Sequence, residues 1–106
     1  MVVLHMSELE GQELLEGAAA RFVHADTMTV AYWTFAPDVR VPEHTHPHEQ
    51  VTNVIEGVFE LTVGQETSRL GAGSVAVIPS NMSHSGRSVT ACRVIDVFHP
   101  VREDYR

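Results

Sequence analysis

From Gly17 onward, turn-forming residues interrupt this chain about every 8–12 residues, which leaves runs suited to short strands and too short for ordinary helices. The breaks are Ala25-Asp26, Ala36-Pro37-Asp38, Gly57, Gly64-Gln65, Gly71-Ala72-Gly73 and Pro79-Ser80-Asn81. Between them lie runs rich in β-branched and aromatic residues, predicted as strands over 20–24, 27–36, 50–56, 58–63, 66–70, 74–78, 83–89 and 91–98. Gly64-Gln65 reads as a hairpin turn between two of them. Phe59, Leu61 and Val63 alternate with Val58, Glu60 and Thr62, the period of a half-buried strand. No long helical period interrupts this series. The expectation is an all-β sandwich or barrel in a single domain.

With 106 residues there is room for one core and not two. Residues 1–16 read as an N-terminal arm, and 17–106 as the barrel with a short polar C-terminal tail. Ser7 followed by Glu10 offers a helix start within the arm, weakened by Gly11, so a turn or two of helix is expected there.

Charge and composition exclude several classes of function. The formal net charge is −7, from 14 acidic residues against 7 arginines with no lysine. That balance leaves no basic stripe for nucleic acid and no lysine for Schiff-base chemistry. No apolar run nears the roughly 20 residues that span a bilayer, and Met1 to His5 lack the pattern of a signal peptide, so a cytoplasmic location is expected. The lone Cys92, in an apolar run, reads as a buried core residue.

The chemistry concentrates between Val41 and Gly57, where His44, His46 and His48 alternate and Glu49 and Gln50 follow. On an extended strand alternate residues share a face, so His44 and His46 aim at one point. Imidazole is the commonest ligand for mid-to-late first-row metals. His84 lies far downstream, after the turn at Pro79. His48 competes as a ligand because it forms a second His-x-His with His46, and Glu49 competes as the acid beside Gln50.

These residues resemble the two motifs of the cupin family. The first motif is Gly, five residues, His-x-His, three or four residues, Glu, six residues, Gly. In register with it stand Asp38 in place of the first glycine, His44, His46, Gln50 in place of the glutamate, and Gly57. The second motif brings Gly73, Pro79 and His84 into register, with Asn81 in place of its middle glycine and Ser88 in place of its final asparagine. The resemblance implies a small jelly-roll barrel (a double-stranded β-helix) holding one divalent ion at its mouth by His44, His46, Gln50 and His84. Nickel, zinc, iron and manganese all suit such a mixed nitrogen and oxygen shell. A neutral amide in place of a carboxylate leaves the site with charge +2 and not +1, hence a stronger Lewis acid and a better anion receptor.

The sequence His44 to Gln50, followed by Asp96-Val97-Phe98 and Arg102, is similar to the KdgF-type pectin-degradation cupins. That resemblance implies ring opening and ketonisation of a 4,5-unsaturated uronate, or a similar small anionic sugar acid, to its linear keto form. Asp96 would carry the protons, Arg102 would clamp the substrate carboxylate, and Phe98 would supply an apolar wall. Cys92, Val94, Asp96 and Phe98 share one strand face, so Asp96 would sit among apolar neighbours with a raised pKa. A metal-dependent dioxygenase and a non-catalytic module binding a small anion are the alternatives on the same scaffold. A homodimer is expected, since small barrels of this kind bury strand edges against a second copy.

Overall fold

The computed structural model describes all 106 residues as ten antiparallel strands in two facing sheets. The strands are β1 (Gln12–Leu15), β2 (Ala18–His24), β3 (Thr29–Phe35), β4 (Arg40–His44) and β5 (Glu49–Glu56). They continue as β6 (Phe59–Val63), β7 (Glu66–Leu70), β8 (Val75–Ile78), β9 (His84–Ser88) and β10 (Cys92–His99). One sheet has six strands in the order β1-β2-β3-β10-β5-β8, and the other has four in the order β4-β9-β6-β7. This is the all-β barrel expected from the turn spacing, in the jelly-roll form that the cupin resemblance implies. The Val63↔Glu66 register leaves Gly64 and Gln65 as a two-residue hairpin loop, with Gly64 at φ 59°.

Two strands depart from the expectation. Gln12–Leu15 lacks β-branched residues, yet it pairs with β2 as the edge of the six-stranded sheet. The helical turn expected in this region shrinks to Met6–Glu8. Residues 40–44 escape a composition-based reading because Pro42 and two charged residues sit among them. They form a strand nonetheless, because β4 is an edge that pairs only with β9, and its register shifts between Val41 and His44. Proline is tolerated at an edge and at a bulge, where no ladder donor is required of it.

The core lies between the sheets, where Ala18, Phe35, Val54, Phe59, Leu61, Ile78, Cys92 and Val94 form one buried cluster. Phe35 and Phe59 meet across the sheets with ring centroids 5.2 Å apart. Cys92 is buried as expected, its thiol directed at the carbonyls of Val58 and Thr90. Inward-facing residues change character along the barrel. On β5 they run Val54, Thr52, Gln50, and on β10 they run Cys92, Val94, Asp96, Phe98, all buried. One end of the barrel is therefore apolar, and the other carries the polar groups. On the outer face of the six-stranded sheet, Ile55, Val75 and Val77 are exposed.

The departures from the family motifs have a backbone explanation. Asp38 (φ 58°) and Asn81 (φ 63°) are the two non-glycine residues with positive φ, and both stand where the motif carries glycine. Asp and Asn are the side chains that enter the left-handed region at least cost. Ser88, where the motif has asparagine, is fully buried; its hydroxyl donates to the Ala36 carbonyl and accepts from the Val39 amide. Gly57 has no substitute, because φ is 86° and a Cβ there would lie 2.1 Å from the Ala91 carbonyl oxygen. Chemical denaturation should therefore show Gly57→Ala costing about 3 kcal/mol. Asn81→Gly should stay within about 0.5 kcal/mol of the parent or above it. Equal losses for the two variants would contradict this account of the motif glycines.

Candidate metal centre

Three histidines meet at the polar end of the barrel. His44 closes β4, His84 opens β9, and the two are cross-strand partners. His46 lies beyond the end of β4, so a shared strand face does not bring it to His44; the bend over residues 45–48 does. Its backbone is held there by the Asn81 amide, which donates to the His46 carbonyl at 2.9 Å. Ring centroids stand 4.2 Å apart for His44–His84, 4.8 Å for His46–His84 and 5.8 Å for His44–His46.

Each ring is oriented in the same way. Nδ1 of His44 donates to the Pro42 carbonyl (2.7 Å), Nδ1 of His46 to the His48 carbonyl (3.0 Å), and Nδ1 of His84 to the Met82 carbonyl (2.9 Å). A carbonyl oxygen only accepts, so the ring proton sits on Nδ1 and the lone pair on Nε2. The ligand atoms of the three rings lie within 4.8 Å of one another. That spread is within a few tenths of an ångström per bond of what metal–imidazole bonds of about 2.1 Å would bridge.

The electrostatics keep His46 and His84 in ligating form. Burial, then the Arg102 charge and His84, push His46 down to about 4, against the pull that Gln50 Oε1 and the His48 carbonyl would exert on a protonated ring. Burial above all lowers His84 as well, despite its bond to Met82. His84 Nε2 is shielded from solvent and has no hydrogen-bond partner. An orphaned buried lone pair is costly in a protein and is what a metal ligand offers.

Gln50 stands beside the histidines, where it could be a fourth donor. Its side chain is buried, and its Oε1 lies 3.0 Å from His46 Nε2. With the His46 proton held at Nδ1, two lone pairs face each other across that gap. Such a contact suits a cation and little else. Glu49 points outward and is exposed. His48 stays outside the cluster of ligand atoms and contributes its carbonyl to His46. The residues present thus fit a divalent ion held by three imidazoles and an amide oxygen.

The centre opens into a cavity of about 310 Å³ that Asp96, Phe98 and Arg102 also line. Asp96 faces inward, directly opposite Thr52 on β5, and accepts from the Thr52 hydroxyl at 2.8 Å. Burial pushes its carboxyl up to about 6, tempered by Thr52, Gln50, the nearby Trp33 indole and the Arg102 charge. The Phe98 ring stands edge-on to His46 at 5.6 Å. Arg102 is buried, with its guanidinium over Phe98 (4.7 Å) and Tyr105 (4.2 Å). Burial works against its charge, but its bonds to Asp104 outweigh that and hold it cationic.

The arginine departs from expectation in one respect. Its Nε and Nη2 already donate to the two carboxylate oxygens of Asp104, at 3.0 and 2.7 Å. A ligand carboxylate in the cavity therefore meets Nη1, or displaces Asp104. Two residues of the site carried no motif signal. They are Thr52, whose only cue is sharing a face with Gln50, and Trp33, whose indole Nε1 is shielded without a partner.

Comparison with known proteins agrees with this geometry. The cupin domain matches residues 31–98, well over half of the chain. An uncharacterized protein of Streptomyces coelicolor is 28% identical over 94% of this chain and 97% of its own length. The structure of KdgF from a Halomonas species is 25% identical and superposes with a TM-score of 0.93, covering 100% of this chain and 99% of that one. An RmlC-like cupin from Shewanella frigidimarina, also 25% identical, gives a TM-score of 0.92 over 97% of this chain and 94% of the other. No helix is long and apolar enough to cross a membrane. Jelly-roll topology, the converging histidines and the domain match together make this chain a member of the cupin family, built as a single small barrel.

Proposed function

We propose that this protein is a metal-dependent enzyme that opens and ketonises a 4,5-unsaturated uronate, or a close sugar-acid relative. One observation carries the reading: a buried carboxyl with its pKa raised to about 6, Asp96, lines the same cavity as His44, His84 and Gln50 of the candidate metal centre. The likeness to the Halomonas KdgF structure over the whole chain supports it.

The reaction moves one proton and breaks one ring bond. Asp96 accepts the proton of the C1 hydroxyl, the C1 carbonyl forms, and the bond between C1 and the ring oxygen breaks. The electron pair of that bond stays on the ring oxygen, which becomes an enolate conjugated through C4=C5. Asp96 then returns the proton to C4, leaving the C5 ketone and the C1 aldehyde. A carboxyl with a pKa of about 6 suits both transfers near neutral pH. Thr52 engages Oδ1, which leaves Oδ2 for the substrate. Bound at the histidines, a divalent ion supplies Lewis-acid stabilisation of the developing oxyanion. Phe98 walls the cavity, and Arg102 offers positive charge to the substrate carboxylate.

Mixing metal-loaded protein with the unsaturated product of a pectate or alginate lyase should bleach the ultraviolet absorbance of the conjugated C4=C5 bond, without oxygen uptake. Asp96→Asn, assayed at saturating metal, should lower the rate by at least about 100-fold. Bleaching that is absent with every such uronate, or that survives Asp96→Asn, would reject the proposal, and oxygen consumption would point to a dioxygenase.

The proton-carrying character of Asp96 has its own signature in protein stripped of metal. The carboxyl pKa rises from 3.8 to about 6 on folding, so folding holds the proton more tightly. Its contribution to stability is full below the unfolded value and is lost as pH rises through the folded one. Between pH 4 and 7 the parent should lose about 2.4 kcal/mol of unfolding free energy relative to Asp96→Asn. Parallel stability profiles would show that Asp96 titrates as an ordinary surface carboxylate.

A further inference from the structure

A chain of hydrogen bonds runs from Asp96 through Thr52 to Gln50, beside the histidine cluster, and its direction is set at the Asp96 end. At the far end, Asp96 Oδ1 is the acceptor. Thr52 has one proton and spends it on Asp96 Oδ1, 2.8 Å away. The Thr52 oxygen then has only lone pairs for its other neighbour, the Gln50 amide at 2.9 Å. That end of Gln50 must be its NH2 group. The amide oxygen is consequently the end turned to His46 Nε2.

We infer that Thr52 is a positioning residue for the metal centre: its hydroxyl, polarised by Asp96, keeps the Gln50 carbonyl oxygen aimed at the histidines. The alternative orientation of the amide is not neutral. Flipped, Gln50 would present NH2 to His46 Nε2, and the two would form a good hydrogen bond. That bond occupies the lone pair a metal needs and removes the fourth donor in the same movement. A glutamine ligand thus needs an orienting partner that a carboxylate, with two equivalent oxygens, does not. Thr52 fills this part because it is buried, β-branched and directly opposite Asp96 in the β5–β10 register. The hydroxyl sits on a strand position where a valine would fit equally well by shape and propensity.

The inference rests on the metal-centre reading but not on the identity of the substrate, since it is read from metal binding alone. The probe is zinc, titrated into metal-free protein in competition with a chromophoric chelator. Thr52→Val should weaken zinc binding about tenfold or more, and Thr52→Ser, which keeps the hydroxyl, should restore it to within about twofold of the parent. Thr52→Ala should lose as much as Thr52→Val, which keeps the test open if valine impairs folding. In a Gln50→Glu background, where orientation no longer matters, Thr52→Val should change zinc affinity by less than about twofold. Three results would overturn the inference: unchanged affinity in Thr52→Val, serine as weak as valine, or the same loss in both backgrounds. Failure of the parent to bind zinc at all would instead remove the metal centre itself.

Discussion

Three hydrogen bonds from imidazole Nδ1 to backbone carbonyls govern this molecule's chemistry. Each ring at the barrel mouth is held by a carbonyl two residues away in sequence, so tautomer and orientation are set locally. What the fold adds is convergence. The β4–β9 pairing places His44 beside His84, and the bend after β4, anchored by Asn81, brings His46 to them. Lone pairs directed into a common space repel one another, and at His46 and His84, though not at the exposed His44, burial withholds the water that would satisfy them. A cation would resolve this frustration, and local consistency is sacrificed there as it commonly is at functional sites.

The second constraint is the gradient along the inward faces of β5 and β10. Valines and Cys92 close one end, while Thr52, Gln50 and Asp96 take the same alternating positions at the other. The apolar half supplies the packing that makes the barrel stable. It also desolvates Asp96, and this is what lifts its carboxyl toward neutral pH. Core and site are therefore one ladder, and a change to the packing around Val94 or Phe98 is felt at Asp96. Arg102 joins this system from the C-terminal tail, stacked on Phe98 and Tyr105 and tied to Asp104.

Much of this was legible in the residues alone, wherever a local rule decides the outcome. Turn residues delimited eight strands to within two residues, because a chain punctuated at that spacing has few other folds open to it. Asn81 stands in place of a motif glycine, and it adopts φ 63°. Edge strands were harder. β1 is leucine-rich and β4 carries Pro42, and each exists through its partner strand and not through propensity. The convergence of His44 and His84 was legible through the motif register, but the route taken by His46 was not, since a bend replaces the strand expected there. The Arg102–Asp104 fork was hidden for a related reason. A charged tail reads as solvated unless tertiary contacts bury it, and Phe98 and Tyr105 do so here.

Thr52 shows the deeper limit. On a strand, threonine is as ordinary as valine, and only its position across from Asp96 and next to Gln50 on the same face gives its hydroxyl a direction. The central claim remains the common ion at His44, His46, His84 and Gln50. X-ray absorption on protein carrying one equivalent of zinc tests it most directly. The account predicts a shell of nitrogen and oxygen only, at about 2.0–2.2 Å, with the outer scattering pattern of three imidazoles that falls to two in His84→Ala. A sulfur neighbour, or an imidazole count that ignores His84→Ala, would contradict it.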